Sequence, residues 1–202
     1  MNISDFNPLD ERLWGTAMMA DHPQGGVLWL RRPRVRELVF MHELLLKEVS
    51  SDAGSLEAMT AVFAHNPDTF WLIERREPGE YVPNKVGFYS YLVLNQQGHE
   101  ALLAGALNRK APPLSMLAPY GVEPAALYIW AVVARGLLKS TRPLIAHAMG
   151  PLYRDAPMYA TVATEDGRRA GESRGFTPAD RSPEIQVGTL MKLPPWSQRE
   201  AA

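Results

Sequence analysis

Cysteine is absent from the chain. That excludes disulfides, thiol nucleophiles and thiolate-held metals, and it suits a reducing compartment. No charge of one sign dominates either: 21 Lys and Arg stand against 22 Asp and Glu, a formal net charge of −1. Such a balance creates no field to gather nucleic acid or acidic lipid, so no nucleic-acid or membrane partner is expected. Long apolar runs are also lacking. The longest, residues 127–134, stops at Arg135, well short of the roughly 20 residues that cross a bilayer. Residues 1–10 carry Asp5 and Asp10 without a basic start, and do not read as a leader. The expectation is a cytoplasmic protein.

What remains is an ordinary globular composition, 46% hydrophobic and 21% charged over 202 residues. It is neither disordered nor collagen-like. One domain of this length buries roughly 70% of its unfolded surface. No internal repeat or low-complexity tract divides the chain. Residues 1–26, mixing Asn, Asp, Gly and Pro around an amphipathic piece at 9–20, read as an N-terminal arm. Residues 27–193 form the domain and 194–202 a tail.

Within the domain, residues 27–30 form a short apolar strand closed by Arg31, Arg32 and Pro33. Val35, Leu38, Val39, His42, Leu45, Leu46 and Val49 then recur at helical spacing and predict one apolar face. Ser55 is a candidate N-cap for a second helix at 56–64, which Asn66-Pro67-Asp68 ends. Strands are predicted at 69–74 and 86–94, on either side of a Pro78-Gly79 turn. A short helix fits 100–107, and a proline-rich loop fills 109–124. The unbroken apolar run at 127–134 reads as a strand buried on both faces. Residues 135–141 read as a loop, with Thr141 capping a helix that holds Pro143 in its first turn and buries Leu144, Ala148, Met149 and Leu152. A strand at 158–164, a polar helix at 165–174 capped by Gly175, and a strand at 185–193 complete the order.

Several chemistries find no support. His22, His42, His65, His99 and His147 show no metal-ligand spacing, so no metal is expected. Ser90 lies in Tyr89-Ser90-Tyr91 rather than a nucleophile elbow. Neither a dinucleotide fingerprint nor a nucleotide-hydrolase phosphate loop occurs. Arg31, Arg32, Arg34 and Arg36 read as a solvated basic face, and Trp29, Trp71 and Trp130 as core packing.

The element order resembles the GNAT superfamily of N-acetyltransferases over roughly residues 27–193. Two stretches carry the resemblance. One is Leu127-Tyr-Ile-Trp-Ala-Val-Val-Ala-Arg-Gly-Leu-Leu-Lys-Ser-Thr141, a buried strand and the loop after it. The other is residues 158–176, a strand and a short helix closing in Gly175-Phe176. The resemblance implies an α/β fold of the α+β type, with a mixed, mostly antiparallel central sheet flanked by helices. It also implies an N-acyltransferase that uses acetyl-CoA or another acyl-CoA on an amine acceptor. A catalytically inactive binding module is the alternative.

Family members hold the CoA pyrophosphate on backbone N–H groups of a loop written R/Q-x-x-G-x-G/A, at a helix start that favours anions. With Arg135 first, Leu138 and Ser140 occupy the glycine positions; with Leu138 first, Thr141 and Pro143 do. The second register better fits a helix starting near Pro143. The cofactor-binding candidates implied are Val132, Val133, Arg135, Gly136, Leu138, Lys139, Ser140, Thr141 and Arg142, with Val132 or Val133 supplying the N–H that polarises the thioester carbonyl. The acid that family members often carry four residues before the closing Gly is a Tyr; here that position is Gly171. Ser173, Tyr153 and Tyr159 are the candidate substitutes. Glu123, just before the buried strand, is the preferred base, with His147 behind it. Leu114, Met116 and Leu117 in the proline-rich loop mark a homodimer contact, a lid or an acceptor site.

Overall fold

Aromatic and β-branched residues crowd residues 70–94, and these form the middle of a sheet in the computed structural model, which describes residues 18–21, 25–49, 54–162, 165–179 and 188–193. Its strands are β1 (Met18–Asp21), β2 (Val27–Arg31), β3 (Phe70–Arg76), β4 (Asn84–Leu94), β5 (Ala126–Val133), β6 (Met158–Thr161), β7 (Thr177–Pro178) and β8 (Leu190–Leu193). They lie in the order β1-β2-β3-β4-β5-β6-β8-β7. Every neighbouring pair is antiparallel except β5 and β6, which run parallel. The helices are α1 (Glu37–Glu48), α2 (Leu56–His65), α3 (Gln96–Leu103), α4 (Leu138–Tyr153) and α5 (Glu165–Glu172). The fold is therefore mixed α/β, with a largely antiparallel sheet flanked by helices and a GNAT-like topology.

Alternation along the strands gives the sheet two apolar faces. Leu38, Met41 and Leu45 of α1, with Met59, Val62 and Phe63 of α2, cover Phe70, Leu72, Phe88 and Leu92. On the other face Leu144, Ile145 and Met149 of α4 cover Leu28, Leu30, Trp71 and Ile73. Ser55 caps α2 as expected, its Oγ accepting the Ala58 N–H at 3.1 Å. Gly175 ends α5 with φ +80°, the left-handed conformation that glycine permits.

Several expectations are corrected. The buried stripe of α1 is Leu38-Met41-Leu45, whereas Val39, Leu46 and Val49 are exposed. Residues 18–21 pair with β2 as an edge strand rather than lying in an arm; the remaining arm residues and 194–202 lie outside the described residues. The third helix begins at Gln96, where Asn95 caps it by accepting the Gly98 N–H at 2.9 Å. Of the basic run, Arg34 and Arg36 are exposed, but Arg31 and Arg32 are not part of a solvated face. Arg31 binds Glu37 at 2.8 Å and Glu74 at 2.5 Å, and Arg32 binds Asp68 at 2.6 Å. Arg32 also lies over the rings of Trp71 and Tyr120. A local charge count cannot reveal these partners, because Glu74 and Asp68 come from a strand and a turn about 40 residues away.

Candidate functional site

β4 and β5 pair along most of their length, but their register slips once: Ser90 faces Ala131, and Tyr91 faces Ile129. Trp130 is the extra residue of this bulge. As a result Trp130 and Ala131 both pack toward α1 and α2, and Val132 returns to the α4 face. The partnership with β6 is shorter, comprising Leu127 with Met158 and Tyr128 with Tyr159. Beyond Tyr128 the two parallel strands part, and β5 continues beside β4 alone.

A cavity of about 570 Å³ opens in that wedge. Its walls are apolar: Ile129 and Val132 from β5, Met158 and Ala160 from β6, and Phe176 and Met191 beyond. Polar groups gather where the chain leaves β5, with Arg135, Gly136, Leu138 and Arg142 on its rim and Arg174 opposite. The helix here starts at Leu138, not near Pro143. Its first backbone bond runs from Thr141 N–H to Leu137 O at 2.9 Å, so the N–H groups of Leu138, Lys139 and Ser140 precede the helical ladder. That start removes the reason for placing Leu138 first in the loop pattern, since only Gly136 and Leu137 separate Arg135 from the helix. Thr141 is consequently no cap: it lies buried inside the first turn, and exposed Pro143 sits in the second.

Tyr89 and Tyr91 stack with ring centroids 6.3 Å apart and both line the cavity. Burial pushes both phenols above their ordinary value, Tyr91 the further. For Tyr89 the Thr141 hydrogen bond and the charges of Arg174 and Arg142 oppose the shift. Both are thus neutral hydrogen-bond donors near neutral pH. Among the described residues, Tyr91 has no hydrogen-bond partner for its hydroxyl. Glu48, at the end of α1, is the acidic side chain in the cavity wall and forms an ion pair with Arg135.

A second cavity of about 230 Å³ lies against the α1–α2 face and shares Val49, Trp130 and Ala131 with the first. The bulge is therefore common to both. Arg109 marks the same seam: its Nη1 donates to Tyr128 Oη at 3.0 Å and to Thr161 Oγ1 at 2.5 Å. Thr161 lines the larger cavity, Arg109 and Tyr128 the smaller. Gly54 closes the smaller one. A Cβ there would stand 2.7 Å from Lys110 O and 3.0 Å from the Trp130 ring, so only glycine fits.

Of the residues named from sequence, Val132, Val133, Arg135, Gly136, Leu138 and Arg142 line the larger cavity. Lys139, Ser140 and Thr141 belong to the same helix start without lining it. Tyr153 is buried outside both cavities, donating to Asp68 Oδ2 at 2.7 Å, with burial and the Asp68 carboxylate raising its pKa. Glu123 and Ser173 are exposed and line neither cavity. His147 is exposed as well, and Tyr159 bonds His99 at 2.9 Å. Leu117, read with Leu114 and Met116 as marking a homodimer contact, a lid or an acceptor site, is buried and bridges to Leu94. Trp130, read as core, lines both cavities. Sequence reasoning missed Glu48, Tyr91, Tyr89 and Arg109; only the Tyr89-Ser90-Tyr91 alternation, which puts two phenols on one strand face, offered a signal.

Among the described residues no group of three His, Cys, Asp or Glu could hold a metal, and no helix is long and apolar enough to cross a membrane. No protein-family model matches the sequence, and no curated protein matches it. Solved structures do resemble the fold. An uncharacterized protein of Bacillus halodurans shares 15% identity at a TM-score of 0.50, covering 92% of this chain and 95% of its own. A Corynebacterium glutamicum structure described as histone acetyltransferase HPA2 and related acetyltransferase shares 11% at 0.44, covering 82% and 95%. A putative arylalkylamine N-acetyltransferase 7 of the yellow fever mosquito shares 12% at 0.46, covering 89% and 93%. At these identities the likeness is one of fold.

Proposed function

We propose that the chain is an acyl-CoA-dependent N-acyltransferase, moving an acetyl group from acetyl-CoA to an amine by direct attack. One observation carries the reading: β5 and β6 part beyond Tyr128, and the wedge between them is an apolar cavity whose rim is a helix start flanked by Arg135, Arg142 and Arg174. The donor set suits an acyl-CoA. N–H groups of Leu138, Lys139 and Ser140 and the cations favour phosphates, and the apolar walls favour an uncharged arm.

A bound thioester supplies an activated acyl carbon; the chain's own groups do the rest. Adjacent residues of an antiparallel strand direct their N–H groups to opposite edges, so only one of Val132 and Val133 turns its N–H away from β4 toward the carbonyl. Tyr91 donates a hydrogen bond to the departing sulfur. Its raised pKa keeps it neutral and makes full proton transfer uphill, so the thiolate is protonated from the bulk solvent that takes up the proton released by the amine. Glu48, released from Arg135, or water accepts the amine proton, since Glu123 lies outside both cavities. A binding-only role is the second reading, favoured by Leu138 and Ser140 in place of loop glycines and by Gly171 in place of Tyr.

Melting with and without acetyl-CoA tests the proposal. A native-state ligand at 100 times its Kd adds about 2.7 kcal/mol, and each kcal/mol moves Tm by roughly 2–4 °C at this size. Acetyl-CoA and CoA should each raise Tm by several degrees and ATP by little. No shift with acetyl-CoA, CoA or longer acyl-CoAs overturns the reading. A shift without CoA release on any amine supports the binding-only role.

A further inference from the structure

The chemistry of the smaller cavity points to what fills it. We infer that it receives the alkyl tail of the acyl group, so that the site takes acyl-CoA donors of up to about eight carbons and holds them more tightly than acetyl-CoA. The inference rests on the acyl-transfer reading and deepens it by naming the donor class.

The lining comes first. Leu45, Met59 and Phe70 are buried apolar walls, and Val49, Trp130 and Ala131 are shared with the larger cavity. Phe70 and Trp130 meet with ring centroids 5.8 Å apart. The hydroxyls in the wall already have partners: Ser90 Oγ donates to Ala131 O at 3.2 Å, and Tyr128 Oη to Thr161 Oγ1 at 3.1 Å. Among the described residues, no buried side-chain polar atom without a partner lines this cavity. Arg109 and Lys110 are exposed, so their charged ends stay in water while their stems edge the space. Water finds few partners in such a place, and an uncharged chain displaces it with a gain in affinity.

The parting of β5 from β6 provides the route. Residues 129–133 of β5 pair with β4, whereas β6 pairs with residues 127 and 128. No ladder of hydrogen bonds therefore closes the sheet between its two faces there. Val132 belongs to the α4 face, and Trp130 and Ala131 pack toward α1 and α2. The carbonyl assigned to Val132 or Val133 thus stands one or two residues along the strand from the wall of the smaller cavity, at about 3.8 Å per residue. An acyl chain is tethered at that carbonyl and is uncharged along its length. The amine differs. Glu48, the acidic side chain assigned to its proton, lines the larger cavity and not the smaller, which puts the attacking nitrogen there and leaves the smaller cavity to the tail.

Size sets the limit. About 230 Å³ holds roughly eight groups of water size at ~30 Å³ each, and a methylene is of similar bulk. Burying each methylene strengthens binding about fourfold at most, and the gain stops where the cavity ends.

Titration calorimetry on the full chain, without amine, tests this with acetyl-, butyryl-, hexanoyl-, octanoyl- and dodecanoyl-CoA. Affinity should rise at least about tenfold from acetyl- to octanoyl-CoA and gain nothing further at dodecanoyl-CoA. Leu45 lines the smaller cavity alone. Leu45→Phe should abolish the rise while acetyl-CoA binds as it does to the parent, and Leu45→Ala should extend the rise beyond octanoyl-CoA. Melting curves establish that each variant is folded, and the series on the unaltered protein decides even where one is not. Equal affinity along the series, a rise that continues unbroken to dodecanoyl-CoA, or a rise that Leu45→Phe leaves intact overturns the assignment. Octylamine is the control for the acceptor. If it outbinds ethylamine on the acetyl-CoA complex, loses that gain in Leu45→Phe, and the acyl series stays level, the cavity belongs to the acceptor and the assignment falls. Binding of CoA and acetyl-CoA with a level acyl series overturns this assignment alone; no binding of any CoA form overturns the acyl-transfer reading and this assignment with it.

Discussion

The phenolic oxygen of Tyr89 lies 2.7 Å from Thr141 Oγ1. Thr141 directs its own hydroxyl proton at Leu137 O, 2.9 Å away, so Tyr89 is the donor. The chain Tyr89 to Thr141 to Leu137 ties the centre of the sheet to the first turn of α4, whose first residue, Leu138, lines the larger cavity. Tyr89→Phe removes the tie and leaves Thr141 its bond to Leu137. The expected cost is about 1 kcal/mol, a fall of roughly 2–4 °C in Tm, together with weaker acetyl-CoA binding. Scanning calorimetry and a binding titration check both; unchanged values would mean the tie holds nothing.

Ala160 stands on β6 in the wall of the larger cavity, half-buried. Ala160→Leu places extra apolar volume in the space assigned to the acyl-CoA arm. Filling an apolar cavity seldom destabilises when the space already exists. The variant should therefore melt at or above the parent temperature yet lose the shift caused by acetyl-CoA. If the full shift persists, the ligand lies elsewhere.

Tyr153 belongs to a buried polar knot rather than to the chemistry. Its hydroxyl donates to Asp68, which also holds Arg32, and Asn66 bonds Ala118 O at 3.1 Å beside it. Hydrogen bonds to charged groups contribute about 1.5–3 kcal/mol. Tyr153→Phe should lower Tm by several degrees while the acetyl-CoA shift and any acyl transfer per folded molecule remain. Loss of transfer with unchanged stability would return Tyr153 to the candidate acids.

Acid should loosen the fold through Glu37. Burial alone would raise its carboxyl, but hydrogen bonds from Arg31, the Arg34 N–H and Lys85 hold it down to about 2, against an ordinary 4.5. Between those values the unfolded chain binds the proton and the folded chain does not, so the contribution is complete above 4.5 and is lost as pH falls toward 2. Denaturant unfolding from pH 6 to pH 2 should show the decline. Glu37→Gln should start less stable and flatten the slope in that window; an unaltered slope would assign acid sensitivity to other carboxylates.

The sequence by itself determined the element order from residue 27 onward apart from the short β7, the caps at Ser55 and Gly175, and the run 127–142 from which the larger cavity draws much of its lining. Those signals are local. Periodicity selects helix or strand, Ser55 and Gly175 mark ends through short-range backbone geometry, and an eight-residue apolar run needs cover on both sides. Six of the nine cofactor candidates line the larger cavity because a strand and the loop after it stay together wherever the fold puts them.

Tertiary structure decided what pairing alone can decide. The bulge at Trp130 exists only as a mismatch of register between β4 and β5, and the wedge only as the parting of β5 from β6. Glu48, Tyr91 and Arg109 come from three separate segments and meet the site through packing, whereas Tyr153, Glu123 and Ser173, close to it in sequence, are carried elsewhere. Proximity along the chain fixes a residue's neighbours for about one turn or one strand; beyond that distance, burial of the two sheet faces sets every contact.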